Sequence, residues 1–416
     1  MACLPALIKN CLAALALLAL AASPAAAATF SMKRGINLDI WTTWPDESRW
    51  GEPDVLLPFP EWRKSLEAAD LVALKRAGFD FVRMPVDPSP FLSDRTVNLR
   101  DRLFADVLDS ARMVNAAGLK VVVDLHLFPA GSNRSVGMGE VMDDPALFDA
   151  YVELVRSMAR TLSAEDPALV ALELMNEPVT GCEGAEQRAW EEKLARLFAA
   201  ARASATRLTL VMTGACWGGA EGLAALDPKL IPDDNVLWSF HSYAPFLLTH
   251  QGATWAGDFI PHVTSLPYPL DSVPRAELDA IVETIRETIR RDAPWSRRAG
   301  LLAYLDEQIA AIDTSAKLTA ELAAPFETAA AWARKHAIPP ERILLGEFGM
   351  IRQEYGNAYV LPAATRAAYY RDMIALGEQH GFAWSMWSYG GAFGVVEEFE
   401  GRRAEPDVLD LLRALD

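Results

Sequence analysis

Positive charge is scarce in this 416-residue chain, which carries 39 Lys and Arg against 56 Asp and Glu. The formal net charge is −17, and no Lys/Arg-rich run offsets it. Nucleic acid and anionic membrane surfaces repel such a chain, because both carry dense negative charge. The composition therefore argues against nucleic acid or a membrane as the partner and favours a neutral substrate.

Metal-binding patterns are also missing. The six histidines are dispersed, and there is no Cys-x-x-Cys, His-Glu-x-x-His or His-x-His spacing. A structural or catalytic zinc needs ligands clustered in one of these ways. We therefore expect no metal and no other cofactor.

Long apolar runs are missing too, apart from one at the N-terminus. Lys9 precedes a Leu- and Ala-rich run over residues 11–22, and small residues follow over 25–28. The run is shorter than the about 20 apolar residues of a membrane-spanning helix, and the pattern is typical of a secretory signal peptide. We predict a signal peptide over residues 1–28, then one domain over residues 29–416 that is exported, periplasmic or extracellular, and monomeric.

Cysteine is rare, with four in the chain, of which Cys3 and Cys11 fall in the predicted signal peptide. The remaining pair, Cys182 and Cys216, would face an oxidising compartment after export. An even number of cysteines in such a compartment favours a disulfide. We therefore predict a bridge between Cys182 and Cys216.

Eight short apolar runs, bounded mostly by Gly, Pro or polar residues, are typical of buried parallel strands. They span residues 34–40, 79–85, 120–126, 170–178, 207–214, 235–243, 342–349 and 383–389. Apolar residues at helical spacing lie between them, as at residues 66–77, 103–117, 148–162 and 189–204. Eight strands alternating with helices in a chain of this length predict a (β/α)8 barrel, the TIM-barrel fold.

The connection between the sixth and seventh runs, residues 244–341, is far longer than a strand-to-helix connection requires. Its first part, to residue 274, is rich in Pro, Gly and aromatic residues. Its second part has apolar faces at helical spacing over residues 278–289 and 301–312. We interpret the segment as a long loop plus a helical insertion on the barrel, without a second domain.

Two glutamates lie at the carboxyl ends of predicted strands. Glu177 closes the fourth run in the segment Asn-Glu-Pro, and Glu347 follows Gly in the seventh. The carboxyl ends of all eight strands of a barrel converge on one mouth. Two carboxylates presented there are the minimum machinery for cleaving a glycosidic bond.

Further polar and aromatic residues end the other predicted strands, where they would face the same mouth. They are Arg83, His126, Asn176, His241, Tyr243 and Trp387. Together with the two glutamates, this pattern resembles glycoside hydrolase family 5, the cellulase-type family of retaining β-glycosidases. The resemblance implies that Glu177 is the general acid/base and Glu347 the nucleophile. It also implies that the six other residues bind or support the substrate.

The resemblance leads us to expect a retaining enzyme that cleaves a neutral β-linked glucan by double displacement, as an endo-β-1,4-glucanase. Arg83 and Tyr243 would favour the ionised form of Glu347, and the negative charge of its partner would raise the pKa of Glu177. A β-mannanase or a β-1,3- or β-1,6-glucanase is an alternative, because family membership fixes mechanism better than substrate. A glycan-binding protein on a disabled barrel is a second alternative, but such a protein should have lost a glutamate.

Some assignments stay open at this point. Asp124 and Glu173 share strand parity with His126 and Glu177, so they are either ion-pair partners in the barrel interior or supports of the site. Aromatic residues in the loops could stack against sugar rings. They are Trp41, Trp44, Trp217 and Trp255, and Phe246 and Tyr268 could join Trp255 in closing one end of the mouth.

Overall fold

The computed structural model describes residues 30–39, 41–42, 44–52, 66–128, 134–398 and 402–415. The predicted signal peptide over residues 1–28 lies outside the described residues, so it stays a prediction. Among the residues that are described, no helix combines the length and the apolar character needed to cross a membrane.

Eight parallel strands pair in sequence order, and the eighth pairs with the first, which closes the predicted barrel. The strands are β1 (Arg34–Asn37), β2 (Phe81–Val86), β3 (Lys120–Leu125), β4 (Val170–Glu173), β5 (Thr209–Thr213), β6 (Val236–His241), β7 (Ile343–Phe348) and β8 (Ala383–Met386). Most end earlier than predicted, and β4 stops four residues before Glu177. The apolar run continues past that end because Leu174 and Met175 are buried, and the N–H of Leu174 still donates to the carbonyl of Val211 in β5 at 3.3 Å.

Helices cover the outside of the barrel, and each predicted helical pattern corresponds to one of them. Before β6 they are α1 (Ala68–Arg76), α2 (Ser89–Leu92), α3 (Arg100–Ala116), α4 (Met138–Asp143), α5 (Pro145–Leu162), α6 (Gly184–Ser204) and α7 (Ala220–Ala225). After β6 they are α8 (Phe246–Thr249), α9 (Arg275–Asp292), α10 (Arg298–Ile312), α11 (Ser315–Lys335), α12 (Ala363–His380) and α13 (Asp407–Asp410).

The long connection between β6 and β7 holds four of these helices. The sequence patterns over residues 278–289 and 301–312 predict α9 and α10, but nothing in them indicates α11, which carries Pro325 in its interior. Helix α11 packs against α7 and α12, so it takes the place of the barrel's own sixth helix. The added part of the connection is therefore the loop with α8 to α10, which is shorter than the predicted insertion over residues 244–341.

The barrel interior is built in two layers that follow the period of two along each strand. An apolar layer lies toward the amino ends of the strands and consists of Phe81, Val122, Ala171, Val211, Leu237, Leu344 and Ala383. β1 contributes Gly35 to this layer, where a Cβ atom would lie 2.3 Å from the ring of Phe81. Two residues further along each strand lies a polar layer, to which β7 contributes Gly346 and the other strands contribute Asn37, Arg83, Asp124, Glu173, Thr213, Ser239 and Ser385.

Candidate active site

Arg83 is the centre of the polar layer and is completely buried. Its Nε donates to Glu173 at 2.7 Å, its Nη1 to Glu347 at 2.7 Å, and its Nη2 lies 3.0 Å from Asp124. Burial opposes the charge, but the three carboxylates outweigh it and raise the pKa of Arg83 well above its ordinary value. Asp124 and Glu173 are thus both interior ion-pair partners and supports of the site.

Glu347 lies in β7 and is 4% exposed. Its Oε1 accepts from Arg83, and its Oε2 accepts from the hydroxyl of Tyr243 at 2.8 Å. Burial, followed by the charge of Glu347, raises the pKa of Tyr243 well above its ordinary value, so the phenol remains a donor. Both oxygens of Glu347 are therefore held in place, and a cation and a hydroxyl stabilise the negative charge.

Glu177 lies beyond the end of β4, and its side chain is 22% exposed. Its Oε1 lies 2.7 Å from His241 Nδ1. Burial is the main cause that raises its pKa to about 7, and Glu173 adds to the rise, whereas His126 and Arg83 oppose it. The predicted direction agrees with this, but the predicted cause was the charge of the catalytic partner, and removal of the carboxyl group from water is the larger effect.

Asn176 and His126 are oriented by the same guanidinium group. Arg83 Nη2 donates to Asn176 Oδ1 at 2.6 Å, so the amide nitrogen of Asn176 faces His126 Nε2 at 3.1 Å. That Nε2 therefore accepts, and Nδ1 carries the proton that is donated to Asp124 at 2.9 Å. Burial lowers the pKa of His126 to about 4, so its ring is neutral at neutral pH.

His241 connects the two candidate catalytic carboxylates. One oxygen of Glu177, one of Glu347 and one ring nitrogen of His241 all lie within 4.8 Å of one another. Burial lowers the pKa of His241 to about 4, so it too is neutral at neutral pH. Among the described residues this is also the one group close enough to share a metal ion, although both oxygens of Glu347 already accept hydrogen bonds from Arg83 and Tyr243.

The mouth of the barrel is a cleft of about 810 Å³, and all the predicted site residues except Arg83 line it. Arg83 lies beneath them. Trp387 forms part of the wall and stacks on His126 with ring centroids 5.5 Å apart. Phe246, Trp217 and Trp255 are 44%, 51% and 59% exposed and also line the cleft.

The other aromatic candidates do not reach the cleft. Trp41 and Trp44 are each 2% exposed and belong to the core, so their assignment as stacking residues is wrong. Tyr268 is 5% exposed, and its hydroxyl donates to Asp372 at 2.7 Å. It therefore packs beside the barrel and does not close the mouth.

Several residues of the cleft are absent from the predicted set. Asp39 continues the period-two register of β1 beyond Asn37, so the sequence does contain a signal for it. The others lie in loops or, in the case of Met138, at the first residue of α4, where no periodic pattern marks them. They are Phe128, Met138, His250 and Phe393.

The predicted disulfide between Cys182 and Cys216 is present, with Cα atoms 4.5 Å apart. It joins the loop after β4 to the loop after β5. The backbone N–H of Trp217 also donates to the carbonyl of Pro178 at 3.1 Å. The bridge therefore fixes an exposed cleft residue next to the segment that carries Glu177.

A closed (β/α)8 barrel with this pair of carboxylates at its mouth defines the class as a glycoside hydrolase. Residues 53–393 match the model of the cellulase family, glycosyl hydrolase family 5. The match covers most of the chain, so this protein belongs to glycosyl hydrolase family 5. The family expected from the strand-end residues is thereby confirmed.

Curated relatives are similar to this chain in sequence, and solved structures are similar to it in fold. Endoglucanase 3 of Fibrobacter succinogenes is 24% identical over 349 residues, which are 80% of this chain but only 47% of that protein, about half its length. Endoglucanase C of Acetivibrio thermocellus is 23% identical over 322 residues, 77% of this chain and 82% of that protein. The structure of Cel5A of Thermotoga maritima with cellobiose has a TM-score of 0.61 at 21% identity, covering 92% of this chain and 97% of its own, which shows a common fold.

Proposed function

We propose that this protein is a retaining endo-β-1,4-glucanase, with Glu347 as the nucleophile and Glu177 as the general acid/base. The observation that carries the proposal is the different setting of two neighbouring carboxyl groups. Arg83 and Tyr243 stabilise the charge of Glu347, whereas burial raises the pKa of Glu177 to about 7. One oxygen of each group lies within 4.8 Å of one oxygen of the other, which is compatible with the about 5 to 5.5 Å between the carboxyl groups of retaining enzymes.

In the first step, an oxygen of Glu347 attacks the anomeric carbon while Glu177 gives its proton to the leaving glycosidic oxygen. The bond from the anomeric carbon to that oxygen breaks, and an ester between the sugar and Glu347 forms. The negative charge of Glu347 is consumed in the ester. Arg83 then loses one of its three carboxylate partners, which makes its field at Glu177 more positive and stabilises the carboxylate form in which Glu177 can act as a base.

In the second step, Glu177 accepts a proton from water, and the water oxygen attacks the anomeric carbon. The ester bond breaks, Glu347 regains its charge, and Glu177 regains its proton. The two inversions leave the anomeric configuration unchanged. His241, neutral and 2.7 Å from Glu177, keeps the carboxyl group aimed at the same position in both steps.

The cleft supports a neutral polymer as substrate. Arg83 fixes the amide of Asn176 so that its nitrogen, with one hydrogen directed to His126, can donate the other to a sugar hydroxyl. Trp387 offers an apolar face to a sugar ring, and Trp217 and Trp255 extend the wall with exposed rings. A cleft of about 810 Å³ lies toward the upper end of the roughly 300–1,000 Å³ typical of ligand sites, which favours binding of several rings and internal cleavage.

The relatives support the same substrate class. The two curated relatives named above are endoglucanases. Cel5A of Thermotoga maritima has been solved with cellobiose and also with mannotriose, the latter with a TM-score of 0.62 at 21% identity. A β-mannan is therefore the second candidate substrate, and a β-1,3- or β-1,6-glucan follows from the family alone.

The test is incubation of the purified protein with carboxymethyl cellulose, mixed-linkage β-glucan, mannan, β-1,3-glucan, β-1,6-glucan and xylan, with products resolved by length. We expect viscosity to fall rapidly with few new reducing ends, and proton NMR to show the β anomer first. Early release of glucose alone would refute endo action, and an initial α anomer would refute retention. Binding without any turnover would favour the glycan-binding alternative.

We also propose export and a monomeric state. The basis for export is the pattern over residues 1–28, and the basis for the monomer is that the cleft is complete within one chain. Amino-terminal sequencing of protein secreted by an expressing cell should begin at Thr29, and light scattering should give the mass of one chain. Retention of residues 1–28 or a dimeric mass would contradict these proposals.

A further inference from the structure

A second, smaller cavity of about 200 Å³ adjoins the cleft on the side of the β6–β7 connection. Phe246, Ala256 and Gly257 line both cavities, so the two cavities are neighbours that share these residues. Tyr304 and Gln308 of α10 line only the small cavity. Its wall is thus made largely by the part of the connection that is additional to the barrel's own helices.

The small cavity has the chemistry of a sugar-binding site. Tyr304 is 45% exposed and is supported from behind by Phe259, with ring centroids 4.9 Å apart. Within the described part of the chain, neither the hydroxyl of Tyr304 nor the amide of Gln308 has a hydrogen-bond partner. An apolar ring face beside unengaged donors and acceptors matches the apolar face and equatorial hydroxyls of a β-linked pyranose.

Charge and rigidity point to the same kind of ligand. The one carboxylate at the cavity, Asp258, accepts from Arg297 at 2.7 Å, so the local charge is balanced and a neutral ligand is favoured. Phe246 stacks on His250 with centroids 3.8 Å apart, which holds the shared wall in place. A preformed wall costs little entropy when a ligand binds.

We propose that this cavity is a distal subsite that binds a further sugar ring of the same β-glucan chain that lies in the cleft. The occupant follows from the position of the small cavity beside the cleft, because the two cavities share Phe246, Ala256 and Gly257 and a chain that extends past Phe246 would reach Tyr304. The inference rests on the proposed function, since it needs a polymeric neutral substrate. Its consequence is a preference for long chains that is independent of the chemistry at Glu177 and Glu347.

The experiment compares Tyr304→Ala, Tyr304→Phe and Gln308→Ala with the unaltered enzyme. The substrates are an aryl β-cellobioside, which fills only the positions next to the reacting bond, and cellohexaose. We expect Tyr304→Ala and Gln308→Ala to raise KM for cellohexaose by roughly three- to tenfold with kcat unchanged, and to leave the aryl β-cellobioside unaffected. Tyr304→Phe keeps the ring but loses the hydroxyl, so its KM for cellohexaose should lie between those of the unaltered enzyme and Tyr304→Ala.

Trp295→Ala is the matched control, since Trp295 is an aromatic residue of the same connection that is 85% exposed and does not line the cavity. Calorimetric titration of cello-oligosaccharides of increasing length into the Glu347→Gln background gives a second readout without turnover. Affinity that rises with length, and rises less after Tyr304→Ala, supports the subsite. Equal effects of Tyr304→Ala and Trp295→Ala, or no effect of Tyr304→Ala on cellohexaose that the enzyme does cleave, would overturn it. Failure to cleave either substrate would instead count against the β-1,4-glucanase proposal.

Discussion

Replacing Glu177 with Gln tests the acid/base assignment through its pH dependence. Burial raises the pKa of Glu177 to about 7, so about half of the groups carry the proton at pH 7 and about a tenth at pH 8. Cleavage of a glucan needs that proton, because the leaving sugar oxygen is a poor leaving group. The kcat/KM of the unaltered enzyme should therefore be about tenfold lower at pH 8 than on its plateau at lower pH.

Glutamine cannot donate a proton, so Glu177→Gln should lower cleavage of a β-glucan by roughly 10²- to 10⁴-fold. An activated substrate such as 2,4-dinitrophenyl β-cellobioside needs no proton for the first step and should show a much smaller loss there. The assay is kcat/KM from pH 4 to pH 9 with both substrates. On the activated substrate, the variant should show no decline centred near pH 7.

A decline near pH 7 that survives in Glu177→Gln would refute the reasoning. The competing group is Asp124, whose pKa is also raised to about 7 by burial, with Arg83 acting in the opposite direction. Asp124 is completely buried beneath the cleft and holds His126, so it cannot reach a glycosidic oxygen. Its titration would act through the orientation of His126 and would be seen with both substrates.

The same variant should change stability with a definite sign. The folded state binds a proton at Glu177 more tightly than the unfolded state, so this contribution is present below the unfolded pKa of 4.5 and is lost as pH rises through about 7. The shift corresponds to roughly 3 kcal/mol at most. The free energy of unfolding of Glu177→Gln, measured with urea, should therefore rise by up to that amount relative to that of the unaltered protein as the pH goes from 5 to 8. The charge of Glu177 also raises the pKa values of Asp124 and His126, so the variant shifts their titrations too, and the figure for Glu177 alone is an upper bound.

Four further predictions concern other parts of the site. Glu347→Gln should lower turnover by at least about 10³-fold while circular dichroism stays unchanged, and retention of more than about a tenth of the activity would contradict a covalent role. The double variant Cys182→Ser with Cys216→Ser opens a bridge with a sequence separation of 34. The free energy of unfolding of this variant in urea should be up to about 4 kcal/mol lower. An unchanged midpoint of the urea transition would count against this. Activity should survive EDTA, and a complete loss restored by a divalent ion would point to a metal at Glu177, His241 and Glu347. Trp217→Ala should raise KM for cello-oligosaccharides about three- to tenfold with little change in melting temperature, since the ring is 51% exposed.

The fold could be predicted because parallel strands that are buried on both faces appear in the sequence as continuous apolar runs. Few folds accommodate eight such strands alternating with helices. The strand ends could not be predicted to the residue. β4 ends at Glu173, and the chain continues to Glu177 through buried residues that the apolar pattern does not separate from the strand. Helix α11 gave no clear signal, because Pro325 interrupts a segment in which alanine makes the apolar face indistinct.

The candidate catalytic pair could be predicted because both glutamates lie at the carboxyl ends of apolar runs, whereas the residues that form the wall of the cleft could not be predicted. Trp41, Trp44, Trp217 and Trp255 all follow strands in the sequence and are equivalent by that criterion. The first two are buried and the last two are exposed in the cleft. The difference is made by the packing of loops from distant parts of the chain, which a local pattern does not contain. The cavity between Phe246 and Tyr304 has the same origin.

The different settings of the two candidate catalytic carboxyl groups follow from their positions relative to the polar layer. Arg83 lies in that layer two residues above Phe81, completely enclosed, and its guanidinium reaches Glu347 in β7 at 2.7 Å. Glu177 lies beyond the end of its strand, where the nearest group is the neutral ring of His241. One carboxyl group is therefore paired with a buried cation and the other is removed from water without one, which is the asymmetry that a nucleophile and a proton donor require. The period-two register that places Phe81 in the apolar layer also places Arg83 beneath the cleft, so a one-residue slip of β2 would lose both the core and the charge on which the proposed mechanism depends.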